Sequence, residues 1–133
     1  MREIRVPISP GELLDKLTIL RIKAERIADA EKLANVRREL ALLEASWREA
    51  GAGLDLSDEE RALARVNGAL WEIEDALREH EAAQRFDAEF IALARSVYQH
   101  NDERAAIKRR VNVKLGSALI EEKSYRAPRG SRT

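Results

Sequence analysis

Apolar residues recur at intervals of three and four along most of the chain, the period of a helix buried on one face. In the first run Leu13, Leu17, Leu20, Ala24 and Ile27 share a face, while Ile19 and Ile22 lie nearly opposite. A helix apolar on two sides is predicted to be central and packed on both. Its start is marked by "ISPGELLDK": Ser9 as N-cap, Pro10 at the first helical position, Glu12 completing a capping box, and Ile8 and Leu13 at hydrophobic-staple spacing. The second run, Leu33, Val36, Leu40, Leu43 and Trp47, is out of phase with Ile27. That favours a break near "IADAEK" with Asp29 as a new cap over one helix with a stutter from 10 to 50. Gly51 and Gly53 close the run. The third opens at "LSDEER", where Ser57 and Glu60 read as a second capping box, and buries Leu63, Val66, Leu70, Ile73 and Leu77, with His80 next on the stripe. The fourth starts at a candidate cap, Asp87, and runs through Phe90, Ile91, Ala94, Val97 and Tyr98 to about Leu115, where Gly116 is a natural stop. The poor helix formers His100, Asn101 and Asp102 mark where it would loosen or break.

These patterns predict an all-α protein: an antiparallel bundle of three to four long helices in one domain over residues 1–133. Residues 1–8 form a short extended arm, with Ile4, Val6 and Ile8 alternating, that lies over one end of the bundle or pairs with another chain. Residues 9–116 form the bundle, and 117–133 a tail that ends flexible and basic. The two-sided first helix and the long stripes point to a homodimer.

The fourth stripe carries the functional lead. Continued by threes and fours from Val97, it reaches Asn101, Arg104 and Lys108 before returning to Val111 and Leu115. Asp15 and Arg26 fall similarly on the second stripe of the first helix, and Asn67, Trp71, Glu74 and Arg78 line a parallel stripe of the third. All four asparagines, Asn35, Asn67, Asn101 and Asn112, fall inside predicted helices, where asparagine is unfavourable. One reading makes them inter-helix hydrogen bonds that fix register. The other makes them the lining of a polar pocket shared with Asp15, Arg26, Glu74, Arg104 and Lys108. A buried cation needs a carboxylate or an anionic ligand, and Asp15 and Glu74 are available as protein partners.

Composition narrows this picture. The chain has 133 residues and no cysteine, which excludes disulfides, thiolate metal sites and a cysteine nucleophile. No apolar run approaches a membrane span and no secretory signal is visible, so a cytoplasmic protein without membrane contact is expected. Net charge is zero, yet residues 1–103 hold 15 basic against 22 acidic side chains and residues 104–133 hold 9 against 2, a balance of −7 and +7. Neutrality gives no general pull toward polyanions, so the basic end is expected to meet the acidic body, and nucleic acid is not an expected partner. No Glu-x-x-His or His-Glu-x-x-His motif occurs. The Glu72–Asp75 pair lacks the upstream acidic pair that a magnesium-dependent pyrophosphatase needs. No metal and no cofactor are therefore expected, and His80 reads as a helix-end histidine.

The runs "VPISPGELLDKLTILRIKAERI", "KLANVRREL", "VNGALWEIEDALREHE", "FDAEFIALARSVYQHNDERAAIKRRVN" and "GSALIEEKSY" resemble a small bacterial and phage family of unknown function over nearly the whole chain. The resemblance brings no activity, only a hint of surface-polysaccharide metabolism. It singles out Asp15, Lys16, Asn101, Asp102, Arg104 and Lys108. A fainter likeness is to the all-helical chorismate mutases: "LSDEERALARV" is similar to their Asp-x-x-Arg helix start, and Arg21 or Arg26 would match a first-helix arginine. Ala62, however, stands where that family has glutamate. The expected function is a binding or accessory module for a small anion, a phosphorylated sugar or a carboxylate, held by Asp15, Lys16, Arg26, Asn101, Asp102, Arg104, Lys108 and Asn112. The alternatives are a small helical enzyme acting on an anionic substrate, or a register-fixing bundle with no ligand.

Overall fold

The computed structural model of the chain describes residues 2–50, 54–119 and 121–124. Among them are four helices and no strand: α1 (Pro10–Arg26), α2 (Ala30–Ala50), α3 (Ser57–Ala82) and α4 (Ala88–Lys114).

α1 begins as its sequence predicts, with Ser9 Oγ accepting the Glu12 N–H at 3.2 Å. The box is half made: the Glu12 carboxylate does not turn back to Ser9 but reaches Lys108 on α4. The first run does break. Ile27 is extended, and Asp29 Oδ2 accepts the Lys32 N–H at 2.9 Å to start α2. Gly51 and Gly53 lie outside the described residues. At α3 the predicted Ser57 cap is not used. Asp55 Oδ1 accepts both the Ser57 N–H, at 3.0 Å, and its hydroxyl, so the serine donates instead of capping, and Glu60 turns to Arg21. Asp87 caps α4 by accepting the Phe90 N–H at 3.1 Å. α4 runs unbroken through His100, Asn101 and Asp102. The His100 ring bonds the Ser96 carbonyl one turn back, which keeps that polar side chain along the helix. Gly116 ends α4 in the left-handed region, φ +62°, and the Ser117 N–H donates to the Asn112 carbonyl.

α1 is central, as its two apolar sides require: α2, α3 and α4 all pack on it, and α3 packs on α4. α2 lies close to α1 alone among the described helices. The core is Leu14, Leu17, Leu56, Leu63, Val66, Ile107 and Val111, with Leu40, Leu43 and Trp47 partly buried against it. Each fully buried aliphatic side chain contributes roughly 1.5–3 kcal/mol relative to exposure. On α1 the stripe of Leu13, Leu17 and Leu20 is buried, while Ile19 and Ile22 opposite it are half-buried. The N-terminal arm does not cover the bundle: Ile4 is 89% exposed and Val6 64%.

Gly11 sets how close α1 and α4 come. A Cβ there would lie 2.9 Å from Asn112 Oδ1 and closer still to the Lys108 carbonyl oxygen, so only glycine fits. The approach lets Asn112 Oδ1 accept the Gly11 N–H at 2.7 Å, satisfying from another helix one of the orphan donors of the first turn.

Candidate functional site

With the helices antiparallel, Glu12 and Asp15, one turn apart on α1, face Lys108 and Arg104, one turn apart on α4. Asp15 is fully buried. Its Oδ1 accepts the Arg104 Nε–H at 2.8 Å, and its Oδ2 accepts from Arg104 Nη2. This is a bidentate pair of the kind that fixes a guanidinium in orientation as well as position. α3 closes the network from the side. The Asn67 amide donates to Asp15 Oδ1 at 2.9 Å and to Thr18 Oγ1 at 2.8 Å, and the Thr18 hydroxyl donates to the Asp15 carbonyl. Among the described residues the one buried side-chain oxygen without a partner is Glu59 Oε2, in the first turn of α3 and outside this network.

Lys108 is also buried, and its ammonium donates to Glu12 at 2.6 Å and to Glu121 at 2.9 Å. Burial disfavours the charged lysine, but these hydrogen bonds and the charges of Glu12 and Asp15 outweigh it and hold its pKa above the ordinary value. The bond to Asp15 likewise raises Arg104, against a smaller opposing effect of burial. Both cations stay charged at every physiological pH.

Two clefts meet at Arg104 and Asn101. The larger, about 580 Å³, runs between α3 and α4. Its apolar lining is Ile19, Leu70, Trp71 and Val97, and its polar lining includes Glu74, Asp75 and Arg78. None of these three makes a hydrogen bond or ion pair with a described residue. The smaller cleft, about 270 Å³, is lined by Glu12, Asn101, Arg104, Ala105, Lys108, Glu121 and Lys123. Of the five N–H groups of Arg104, two are spent on Asp15. Arg104 lines both clefts, its side chain 28% exposed, and its Nη1 makes one long 3.5 Å approach to Asn101 Oδ1.

The structure therefore brings together Asp15, Asn101, Arg104, Lys108 and Asn112 of the residues expected from sequence. It leaves out three. Lys16 and Asp102 are exposed and line neither cleft, and Arg26 pairs with Glu72 across α1 and α3. Asn35 is exposed on α2, where it accepts from Arg38. The arginines matched to a chorismate mutase are likewise committed elsewhere, Arg21 to Glu44 and Glu60 and Arg26 to Glu72. His80 is a buried helix-end histidine, its Nδ1 bonded to the Ala76 carbonyl. Sequence reasoning missed Glu12, Thr18, Asp75 and Glu121. Glu12 was absorbed by its capping motif. Asp75 was weighed only as a metal ligand, and nothing local marks Glu121, 13 residues from its lysine.

Fold and site together define an all-helical protein with a charged polar centre at the junction of α1, α3 and α4. The chain belongs to the family of unknown function DUF6165, whose family model matches residues 4–133. No curated protein and no solved structure matches it. No described helix is long and apolar enough to cross a membrane.

Proposed function

We propose that the protein is a binding module for a small organic anion, seated in the α3–α4 cleft with its anionic group on Arg104. The observation that carries this reading is the two-sided state of Arg104: its inner edge is locked to a fully buried carboxylate, and its outer edge is open to both clefts. A cation oriented from behind costs little to organise when a ligand arrives. Trp71, Leu70 and Val97 offer an apolar bed for the body of the ligand, and the unpaired Glu74 and Asp75 offer acceptors for hydroxyl groups. Lys108, one turn from Arg104, adds a second positive charge at the same end. A phosphorylated sugar has all of these features, and a hydroxylated carboxylate most of them.

The bond from Gly11 to Asn112 favours a second reading, in which the same polar residues only fix the register of α4 on α1. Thermal unfolding across a panel of hexose phosphates and hydroxy acids separates the two. A binder gains stability with ligand concentration, about 2.7 kcal/mol at one hundred times Kd. Arg104→Lys, which keeps a cation for Asp15 but loses the fork, folds and loses that gain. No rise with any member of the panel leaves the register-fixing reading alone.

A further inference from the structure

α4 does not end the story of its own cations. After the reversal at Gly116 the chain comes back alongside α4, and Glu121 and Glu122 reach Lys108 and Arg109, each 13 residues earlier. Residues 121–124 have no regular secondary structure, and Leu119 is 45% exposed. The segment is tied to α4 by charge: Glu121 to Lys108 at 2.9 Å and Glu122 to Arg109 at 3.3 Å, both acids half or more exposed. The Arg109–Glu122 pair is exposed on both sides and contributes little, so the segment is held chiefly by Glu121 on the buried Lys108.

We propose that residues 117–119 and 121–124 act as a strap over the smaller cleft, with the Glu121 carboxylate standing in for the anionic group of a ligand. The inference rests on the anion-binding reading of Arg104 and Lys108. α1 gives each cation one carboxylate: Asp15, fully buried, holds Arg104, and Glu12, on the wall of the smaller cleft, holds Lys108. Those two sit on a helix and stay. The outer side of Arg104 is open, whereas the outer side of Lys108 is taken by Glu121. A ligand phosphate reaching across from Arg104 competes with that carboxylate for the Lys108 ammonium. Such an exchange puts one anion in place of another and leaves no cation bare, which is the cheapest way to open a buried charged site. The bond from Lys108 holds the Glu121 carboxyl below its ordinary pKa, against burial, so it is ionised and competes throughout the neutral range.

The experiment uses the full chain and a hexose 6-phosphate as probe. Calorimetric titration compares wild type, Glu121→Gln and Arg104→Lys, and residue-resolved amide hydrogen exchange follows 117–124 with and without probe. The strap predicts that Glu121→Gln binds about tenfold more tightly than wild type, the equivalent of about 1.4 kcal/mol. It also predicts that the probe speeds exchange across 117–124 in the wild type. Binding by wild type that Arg104→Lys abolishes and Glu121→Gln leaves unchanged overturns the strap and keeps the anion site. Slower exchange in 117–124 on binding likewise overturns it, since the segment would then be closing on the ligand. Absence of binding by both wild type and Glu121→Gln overturns the anion site, and the strap with it.

Discussion

Where α1 meets α4, a glycine, an aspartate, an arginine, a lysine and an asparagine sit among Leu14, Ile107 and Val111. Where α1 meets α2, the α2 stripe is Leu33, Val36, Leu40, Leu43 and Trp47, none of them fully buried, with the half-exposed Arg21–Glu44 pair at its side. The more polar interface is the more deeply buried, and at Gly11 it brings a side-chain position against the backbone of α4. Apolar contact is undirected, so α2 finds its place by covering a stripe and a modest shift would cost it little. The α1–α4 contact has one solution: Gly11 admits the Lys108 backbone, Asn112 takes the Gly11 N–H, and Asp15 and Arg104 meet edge to edge. Directed bonds of this kind make a reliable support for a cation that must point into a cleft.

The two interfaces should respond differently to substitution. Arg104→Ala strands the Asp15 carboxylate in the interior with the Asn67 amide as its remaining side-chain partner. Breaking a buried pair in this way costs about 3–5 kcal/mol. Urea denaturation should show that loss, and should show Asp15→Ala combined with Arg104→Ala costing less than the two singles added. Additive losses would mean that the pair is not coupled. Gly11→Ala comes next. The added methyl must push α4 away, at about 1–3 kcal/mol in the same measurement, and a neutral result would mean that the helices are not in close contact. At α2, Leu40→Ala should cost less than the roughly 2–5 kcal/mol of a fully buried leucine, and Leu42→Ala, at 56% exposure, no more than about 0.5 kcal/mol. Equal losses at Leu40 and Leu42 would show that α2 is not held on the face assigned to it.

Much of the fold was legible because its signals are local. Ser9, Asp29, Asp87 and Gly116 act where their residue types predict, and the double stripe of α1 correctly made it central. Ser57 misled because Asp55 takes both its hydroxyl and its N–H, the donor that Glu60 would accept in a capping box, which a motif read alone does not show. The candidate site was half legible. The polar interruption of the α4 stripe pointed to Asn101, Arg104 and Lys108, since periodicity says which side chains must face inward whatever their chemistry, and Asn112 stood out as an asparagine inside a helix. It could not tell Asn67, buried against Asp15, from Asn35, exposed on α2. Both interrupt a helix, and only the depth of the packing behind them differs. Nor could it separate Arg26, whose length carries it out to Glu72, from Arg104. The carboxylate that answers a cation comes from another element, and its identity waits on how the helices pair.

Arg104 is held on one edge by Asp15 and, in the proposed site, meets the ligand with the other. Nitrogen-15 NMR of the arginine side chains tests this most directly. The Arg104 Nε–H, bonded to Asp15, should exchange with water far more slowly than that of Arg61, whose side chain is 75% exposed, and should stay slow when a hexose phosphate is added. Its Nη resonances should move with the ligand. An Nε–H that exchanges as fast as that of Arg61, or Nη resonances unmoved at saturating ligand, would contradict the account.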